Sequence, residues 1–279
     1  MDDTVLFSVM ILGGIAIVSA IILYWVSRKF AVDEDIKVTE IESVLPQANC
    51  GGCSYAGCHD FATACANADE SKFSTLFCPV GGQTVMDQVA SIKGFAKVEK
   101  QPTSAVLRCN GTCQNAPQKV LYDGICSCRI AARISSGQTG CPNGCLRLGD
   151  CIKVCKFGAL SLDNQTGMPV VDHEKCTSCG ACVKMCPRGL FEIRTKGNNG
   201  EMVYVACRNT QKGAQARKNC KVACIACQKC AKINSEITIQ NNLSYIPDSV
   251  SAEQFGKELS QACPTGAINY YCKKEETNV

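Results

Sequence analysis

The chain has 279 residues, among them 24 cysteines, one tryptophan and two histidines, with a formal charge of +4. Cysteine at that density marks a disulfide scaffold or a carrier of metal clusters. Aromatic residues at 6% leave little material for a large apolar core, so metal ligation is expected to supply part of the folding free energy. The positive charge counts every thiol as neutral. A four-thiolate cubane carries about −2, so a cluster-loaded chain is net acidic, and the apparent basicity gives no ground for a nucleic-acid partner.

Residues 1–28 are read as a transmembrane anchor. Val5 to Val26 form a nearly unbroken apolar run, VLFSVMILGGIAIVSAIILYWV. At a rise of about 1.5 Å per residue it is long enough for a bilayer core. Asp2 and Asp3 precede it, and Arg28 and Lys29 follow it. The positive-inside bias predicts a single pass through the inner membrane, with the remaining chain in the cytoplasm. The alternative, a cleaved signal peptide, fits poorly: the first residues are acidic and no A-x-A-like site follows. A reducing compartment also disfavours disulfides. Residues 29–45 are charged and read as a linker.

Residues 46–100 are read as a small four-cysteine domain. Its loop, CGGCSYAGC, carries Cys50, Cys53 and Cys58, and Cys78-Pro79-Val80-Gly81-Gly82 supplies a fourth thiol. Glycines let the backbone close round a cluster and aim amide N–H groups at its sulfurs. His59 to Ala68 is helical in character. Cys65, off the loop, reads as a small buried residue, and His59 as a surface or supporting residue. Val85, Val89, Ile92 and Phe95 recur at helical spacing over 82–97.

Residues 101–200 hold the strongest motif. Cys176, Cys179, Cys182 and Cys186-Pro187 form the C-x2-C-x2-C-x3-C-P run of bacterial ferredoxins, in which the fourth cysteine serves the other cluster of a pair. A degenerate copy lies about 31 residues upstream, with Cys145, Cys151 and Cys155 in register and Leu148 where a cysteine would stand. Each copy ends in a short apolar strand, around Leu160 and around Phe191. Zinc sites usually show two separated cysteine pairs, so structural zinc is disfavoured. One cluster takes Cys176, Cys179, Cys182 and the remote Cys155. A second takes Cys145, Cys151 and the remote Cys186, with Cys141 the nearest fourth ligand. That leaves Cys109, Cys113, Cys126 and Cys128. A rival partition moves Cys141 upstream and leaves a three-cysteine site, a [3Fe–4S] centre.

Residues 201–279 are read as a C-terminal ferredoxin-like domain with one retained cluster. Cys224, Cys227 and Cys230 form a triplet, and Cys263-Pro264 closes it. At ferredoxin spacing the other site's positions fall on Asn234, Glu253, Gly256 and Leu259. All four ligands of one cluster are therefore missing together, with Leu259 a candidate plug. Cys207, Cys220 and Cys272 are unassigned. Arg208, Lys212, Arg217, Lys218 and Lys221 make a basic stretch that could steer an acidic ferredoxin, or be a solvated loop.

The order of parts resembles the B subunit, the iron–sulfur subunit, of the Rnf-type ion-translocating electron-transport complexes: an anchor, the CGGCSYAGC…CPVGG domain, then ferredoxin-type motifs. RCNGTC and CPNGCLRLGDC look like segments of its anaerobe branch. The resemblance spans essentially the whole chain. It implies a membrane complex that oxidises reduced ferredoxin, reduces NAD and moves Na+ or H+. This chain is then the electron entry, soluble ferredoxin the donor, and the membrane, flavin- and NAD-binding subunits its partners. The chain itself shows no G-x-G-x-x-G after a strand and no catalytic constellation. The expectation is an α+β protein: a transmembrane helix, a small helical [4Fe–4S] domain and tandem ferredoxin-like modules, with about five [4Fe–4S] clusters. Two other readings are an electron-transfer subunit that keeps a redox-sensing regulator reduced, and a metal-binding scaffold with no electron flow.

Overall fold

The computed structural model describes residues 3–29, 35–134 and 137–272. Helix α1 (Asp3–Lys29) comes first. It is the one helix among the described residues long and apolar enough to cross a membrane, with a mean hydropathy of 2.7 over its most apolar window and no part of that window buried. Asp2, used in the orientation argument, lies outside the described residues.

Residues 30–34 lie outside the description as well; the rest of the segment read as linker is mostly helical. Helix α2 (Ile36–Val44) begins where the Asp35 carboxylate accepts from the Lys37 amide at 3.0 Å, satisfying one of the free N–H groups of the first turn. Val38 and Ile41 bury the inner face of α2. Their sparse spacing among charged neighbours hides an amphipathic helix. α2 packs on α3 (Cys58–Asn67) and α5 (Gly82–Lys93), with α4 (Glu70–Phe73) between them in sequence. Phe61, Ala62, Cys65, Met86 and Val89 complete this core. The periodicity over 82–97 runs past the true helix end. Gly94, at φ 73°, takes the left-handed position after the last turn, and the Phe95 amide returns to the Ala90 carbonyl at 2.9 Å. This is the Schellman arrangement, and it swings Phe95 back onto Phe73, ring centroids 5.5 Å apart.

Beyond residue 100 one strand plan occurs twice. In the first unit β1 (Thr103–Leu107) precedes α6 (Cys128–Ile134), α7 (Asp150–Lys153), the hairpin β2 (Leu160–Leu162) and β3 (Pro169–Val171), α8 (Ala181–Met185) and β4 (Phe191–Thr195). First and last strands pair antiparallel, from Thr103 opposite Thr195 to Leu107 opposite Phe191. The second unit runs β5 (Met202–Val205), α9 (Gly213–Asn219), α10 (Lys229–Ile233), the hairpin β6 (Thr238–Gln240) and β7 (Leu243–Tyr245), α11 (Ala252–Ala262) and β8 (Ile268–Tyr271). Again the first strand pairs with the last, Met202 opposite Tyr271 and Val205 opposite Ile268. Two-stranded ribbons are marginal alone. Here each outer pair is held from one side by short helices whose loops carry the cysteines.

In the second unit α11 occupies three of the four positions where the ferredoxin spacing lacks cysteines, Glu253, Gly256 and Leu259. Ser251 caps it, its hydroxyl accepting from the Gln254 amide at 3.4 Å. Leu259 is fully buried with Ile237, Ile246 and Ile268. Gly256 lies under the Tyr270 ring, too close to admit a Cβ. Apolar packing thus fills the space that a second set of ligands would claim.

The two units are fastened by buried charge. Arg194 of β4 is almost wholly enclosed. It donates to the Val203 and Ile246 carbonyls at 3.2 and 2.7 Å and pairs with Glu192 and Asp248 at 3.1 and 2.8 Å. Arg108 reaches Glu192 at 3.0 Å and the Val205 carbonyl at 3.3 Å. Burial alone would raise the Glu192 carboxyl. Arg108, the Tyr245 hydroxyl and Arg194 outweigh it and hold the group below its usual range.

Candidate metal centres

The cysteine loops share one backbone conformation. After Cys176, Ser178 and Gly180 stand at φ 57° and 73°. After Cys224, Ala226 and Gln228 stand at 52° and 64°. After Cys145, in the degenerate copy, Arg147 and Gly149 stand at 61° and 78°. A non-glycine residue in this region costs about 1–2 kcal/mol. Three loops accept it at the same two offsets, so Leu148 changes a ligand without changing the loop. In two of the loops a turn amide meets the first cysteine: Arg147 donates to Cys145 at 3.4 Å and Ala226 to Cys224.

Cys155, Cys176, Cys179 and Cys182 surround one concavity. The Ala105 amide of β1 donates to the Cys176 sulfur at 3.4 Å. The Thr177 and Ser178 hydroxyls in this loop are buried with no protein partner, which suits donation to a sulfur-rich group. Cys224, Cys227, Cys230 and Cys263 surround a second concavity. Burial would raise the Cys263 thiol, but the Thr265 amide and hydroxyl and the Ala267 and Ile268 amides outweigh it and hold it low. The Ala267 amide lies 3.3 Å from that sulfur, and at the other Cys-Pro corner the Leu190 amide lies 3.4 Å from Cys186.

Cys145, Cys151 and Cys186 meet in a third concavity, and the fourth thiol there is Cys128, which the sequence spacing groups instead with Cys109, Cys113 and Cys126. Cys128 is the first residue of α6. The buried Asp150 carboxylate, next to Cys151, accepts from the Ser127 hydroxyl at 2.9 Å and the Arg129 amide at 3.1 Å. That cap pins the head of α6 against the degenerate loop. Cys141, the nearest candidate for this site in sequence, instead lines a concavity with Cys109, Cys207 and Cys220. Cys113 and Cys126 are exposed and line none of these four spaces, and Cys272 is likewise exposed. The missed link was tertiary; its one sequence trace is an acidic residue directly before Cys151.

In the helical unit Cys53 and Cys58 both lie near Cys78, and Cys50 heads the same loop. The Asn49 side chain closes it, accepting from the Cys58 amide at 2.7 Å, and the Gly81 amide donates to Cys78 at 3.3 Å. Cys65 is buried in α3, as its position suggested. His59 is surface-exposed and paired with Glu42 at 2.8 Å. At Gly52 this loop abuts the ferredoxin motif: a Cβ there would come within 3.0 Å of the Cys179 backbone.

Burial pushes the Cys145, Cys151 and Cys182 thiols up to about 12, with neighbouring thiols adding to it. Without a cation these groups are neutral; a cationic metal core reverses that preference. Arg188 is half-buried beside Cys141, Cys145, Cys109 and Cys186 and donates to the Cys141 and Gly144 carbonyls at 3.3 and 2.5 Å. Burial lowers its guanidinium and the surrounding sulfurs oppose the shift, a placement that complements anionic clusters. A tetrahedral zinc, with Zn–S near 2.3 Å, would hold its thiolates within about 4 Å of one another. Among the described residues no group of three His, Cys, Asp or Glu is placed to hold a single metal ion.

A family model for a 4Fe-4S binding domain matches residues 169–192, and one for an Fe-S cluster matches residues 45–71. The B subunit of the Na(+)-translocating ferredoxin:NAD(+) oxidoreductase complex of Acetobacterium woodii is 38% identical over 96% of this chain and 79% of its own length. The B subunit of the proton-translocating ferredoxin:NAD(+) oxidoreductase complex of Clostridium ljungdahlii is 36% identical over 95% and 92%. The B subunit of the ion-translocating oxidoreductase complex of Methanosarcina acetivorans is 36% identical over 83% and 85%. With iron–sulfur motifs, an N-terminal apolar helix and likeness along nearly its whole length, the chain belongs to the family of B subunits of the Rnf-type ion-translocating oxidoreductase complexes.

Proposed function

We propose that this chain is the electron-entry wire of a membrane-bound ferredoxin:NAD oxidoreductase, taking electrons from reduced ferredoxin and delivering them to flavin- and NAD-binding partner subunits. The two strand units are tandem ferredoxin-like modules behind a helical cluster domain, held on the cytoplasmic side of the membrane by α1. Four sets of thiols hold [4Fe–4S] clusters: Cys50, Cys53, Cys58 and Cys78; Cys155, Cys176, Cys179 and Cys182; Cys128, Cys145, Cys151 and Cys186; Cys224, Cys227, Cys230 and Cys263. The clusters supply one-electron transfer. The protein spaces the sites, shields them from water and sets their potentials through amide N–H groups on the sulfurs and through Arg188. The observation that carries this reading is the loop conformation repeated after Cys145, Cys176 and Cys224, in a chain that matches electron-transfer subunits along nearly its whole length.

Arg208, Lys212, Arg217, Lys218 and Lys221 are all exposed and would meet an acidic ferredoxin. The coupling ion does not follow from overall likeness, because relatives named for Na(+) and for protons are nearly equally similar to this chain. The test is direct. Anaerobically purified full-length chain, mixed with reduced ferredoxin, should accept several electrons at a rate that falls steeply with added salt. Metal that cannot be reduced, or a rate indifferent to salt, would overturn the electron-entry role.

A further inference from the structure

Beyond the helical unit two buried cysteines remain outside every motif, Cys207 and Cys220, on either side of the basic stretch. They stand with Cys109 and Cys141 around a single concavity. The first pair comes from the end of β5 and the end of α9 in the second unit. The second pair comes from segments of the first unit. The space therefore lies on the seam between the units.

Its sulfurs are dressed as cluster ligands are. The Asn209 amide donates to Cys207 at 3.4 Å. The Asn143 amide donates to Cys141 and the Val222 amide to Cys220. Each donor lies two residues after its cysteine, the same arrangement by which the Arg147 amide meets Cys145 at 3.4 Å. The fourth sulfur, Cys109, accepts from the Cys145 amide at 3.5 Å. Gly111 and Gly144 flank the site, and a Cβ on either would come within 3.4 Å of the Cys109 or Cys141 sulfur. Four sulfurs around one concavity, each with at least one amide donor, match a cubane better than packing.

The site also touches its neighbours on both sides. Cys145, a member of the Cys128 set, lines the same concavity, and the Cys224 amide donates to the Cys207 sulfur. We infer that Cys109, Cys141, Cys207 and Cys220 hold a further [4Fe–4S] cluster across the seam, and that it bridges electron flow between the two ferredoxin-like modules. The bridging role rests on the relay reading above; occupancy of the site does not. The step is a one-electron exchange: the donor cluster is oxidised by one electron and the bridge reduced by one, with no bond made or broken.

Iron and sulfide analysis of the full chain tests occupancy first. Five cubanes give about 20 irons per chain, whereas four give about 16, and the lower count in fully loaded protein would overturn the site. Cys207→Ser and Cys220→Ser should each lose about four irons or show a three-iron EPR signal, while Cys113→Ser and Cys126→Ser keep the full count. Undiminished iron with an unchanged spectrum in the first two variants would also overturn it. Wild-type iron counting needs no variant to fold. For the bridge, freeze-quenched EPR of Cys207→Ser should show slowed reduction of the Cys224 set by electrons supplied to the first module. An unchanged rate in a variant lacking the cluster would overturn the bridge and leave the site standing. A chain with all its irons that cannot be reduced would refute the relay instead.

Discussion

Replacing Cys128 and then repairing the loss from another position tests how the degenerate loop is completed. Cys128→Ser should leave the Cys145, Cys151 and Cys186 thiols one ligand short, giving a three-iron centre or an empty site. Leu148 occupies the place that Cys179 holds in the intact motif, and its loop already has the matching conformation, with Arg147 and Gly149 at φ 61° and 78°. Leu148→Cys in the Cys128→Ser background should therefore reach the cluster at no new backbone cost. Its packing cost is small. Leu148 is half-buried against Cys128, Ala131 and Leu146. At about 0.8 kcal/mol per buried methylene, trimming it to cysteine loses roughly 1–2 kcal/mol. Ligation of a structural metal is worth on the order of 10 kcal/mol, so the regained ligand outweighs the lost contacts. Anaerobic iron and sulfide analysis with low-temperature EPR reads the outcome. The single variant loses between one and four irons, and the double variant regains them. A single variant with full iron and an unaltered spectrum would remove Cys128 from the ligand set. A double variant that folds yet stays depleted would refute the claim that the two loops are equivalent.

Leu259→Ala should cost about 3–5 kcal/mol, the range for emptying a fully buried leucine site, read as a lower denaturant midpoint for loss of cluster colour. A shift under about 1 kcal/mol would mean that α11 does not depend on that side chain. In the iron-free chain under reducing conditions, unfolded thiols titrate near 9.0, whereas Cys145, Cys151 and Cys182 are pushed up to about 12. The unfolded state then releases protons that the fold retains, so apo-protein stability should fall as pH rises from about 9 toward 12; a denaturation midpoint that rises across that window contradicts the burial.

What was legible in the sequence was local. The triplet Cys176, Cys179 and Cys182, the Cys-Pro corners and the apolar run are defined within a few residues, and the packing around Leu259 followed from counting back from Cys263. Two ligand placements were hidden because they depend on segments that meet only in three dimensions, and one helix was hidden by its composition. Cys128 joins Cys145 because the Asp150 carboxylate caps α6. Cys141 turns toward Cys207 and Cys220 because it sits on the seam. Helix α2 carries only two buried residues, Val38 and Ile41, and its charged surface masks them. The overrun at the end of α5 differs in kind. Gly94 is visible in the sequence, but helical spacing alone continues through to Phe95.

The seam quartet also bears on how such a chain is made. The thiols of the helical unit lie between Cys50 and Cys78 and can be brought together as soon as that stretch leaves the ribosome. The Cys109, Cys141, Cys207 and Cys220 set cannot gather until most of the polypeptide has been synthesised, and closing so long a loop carries its own entropic cost. Cofactor insertion thus acquires a direction along the polypeptide, from local sites early to the seam last. In the opposite sense, loss of iron from the proposed seam site would remove the ligation shared by the two halves and leave the Arg108 and Arg194 contacts to hold them together.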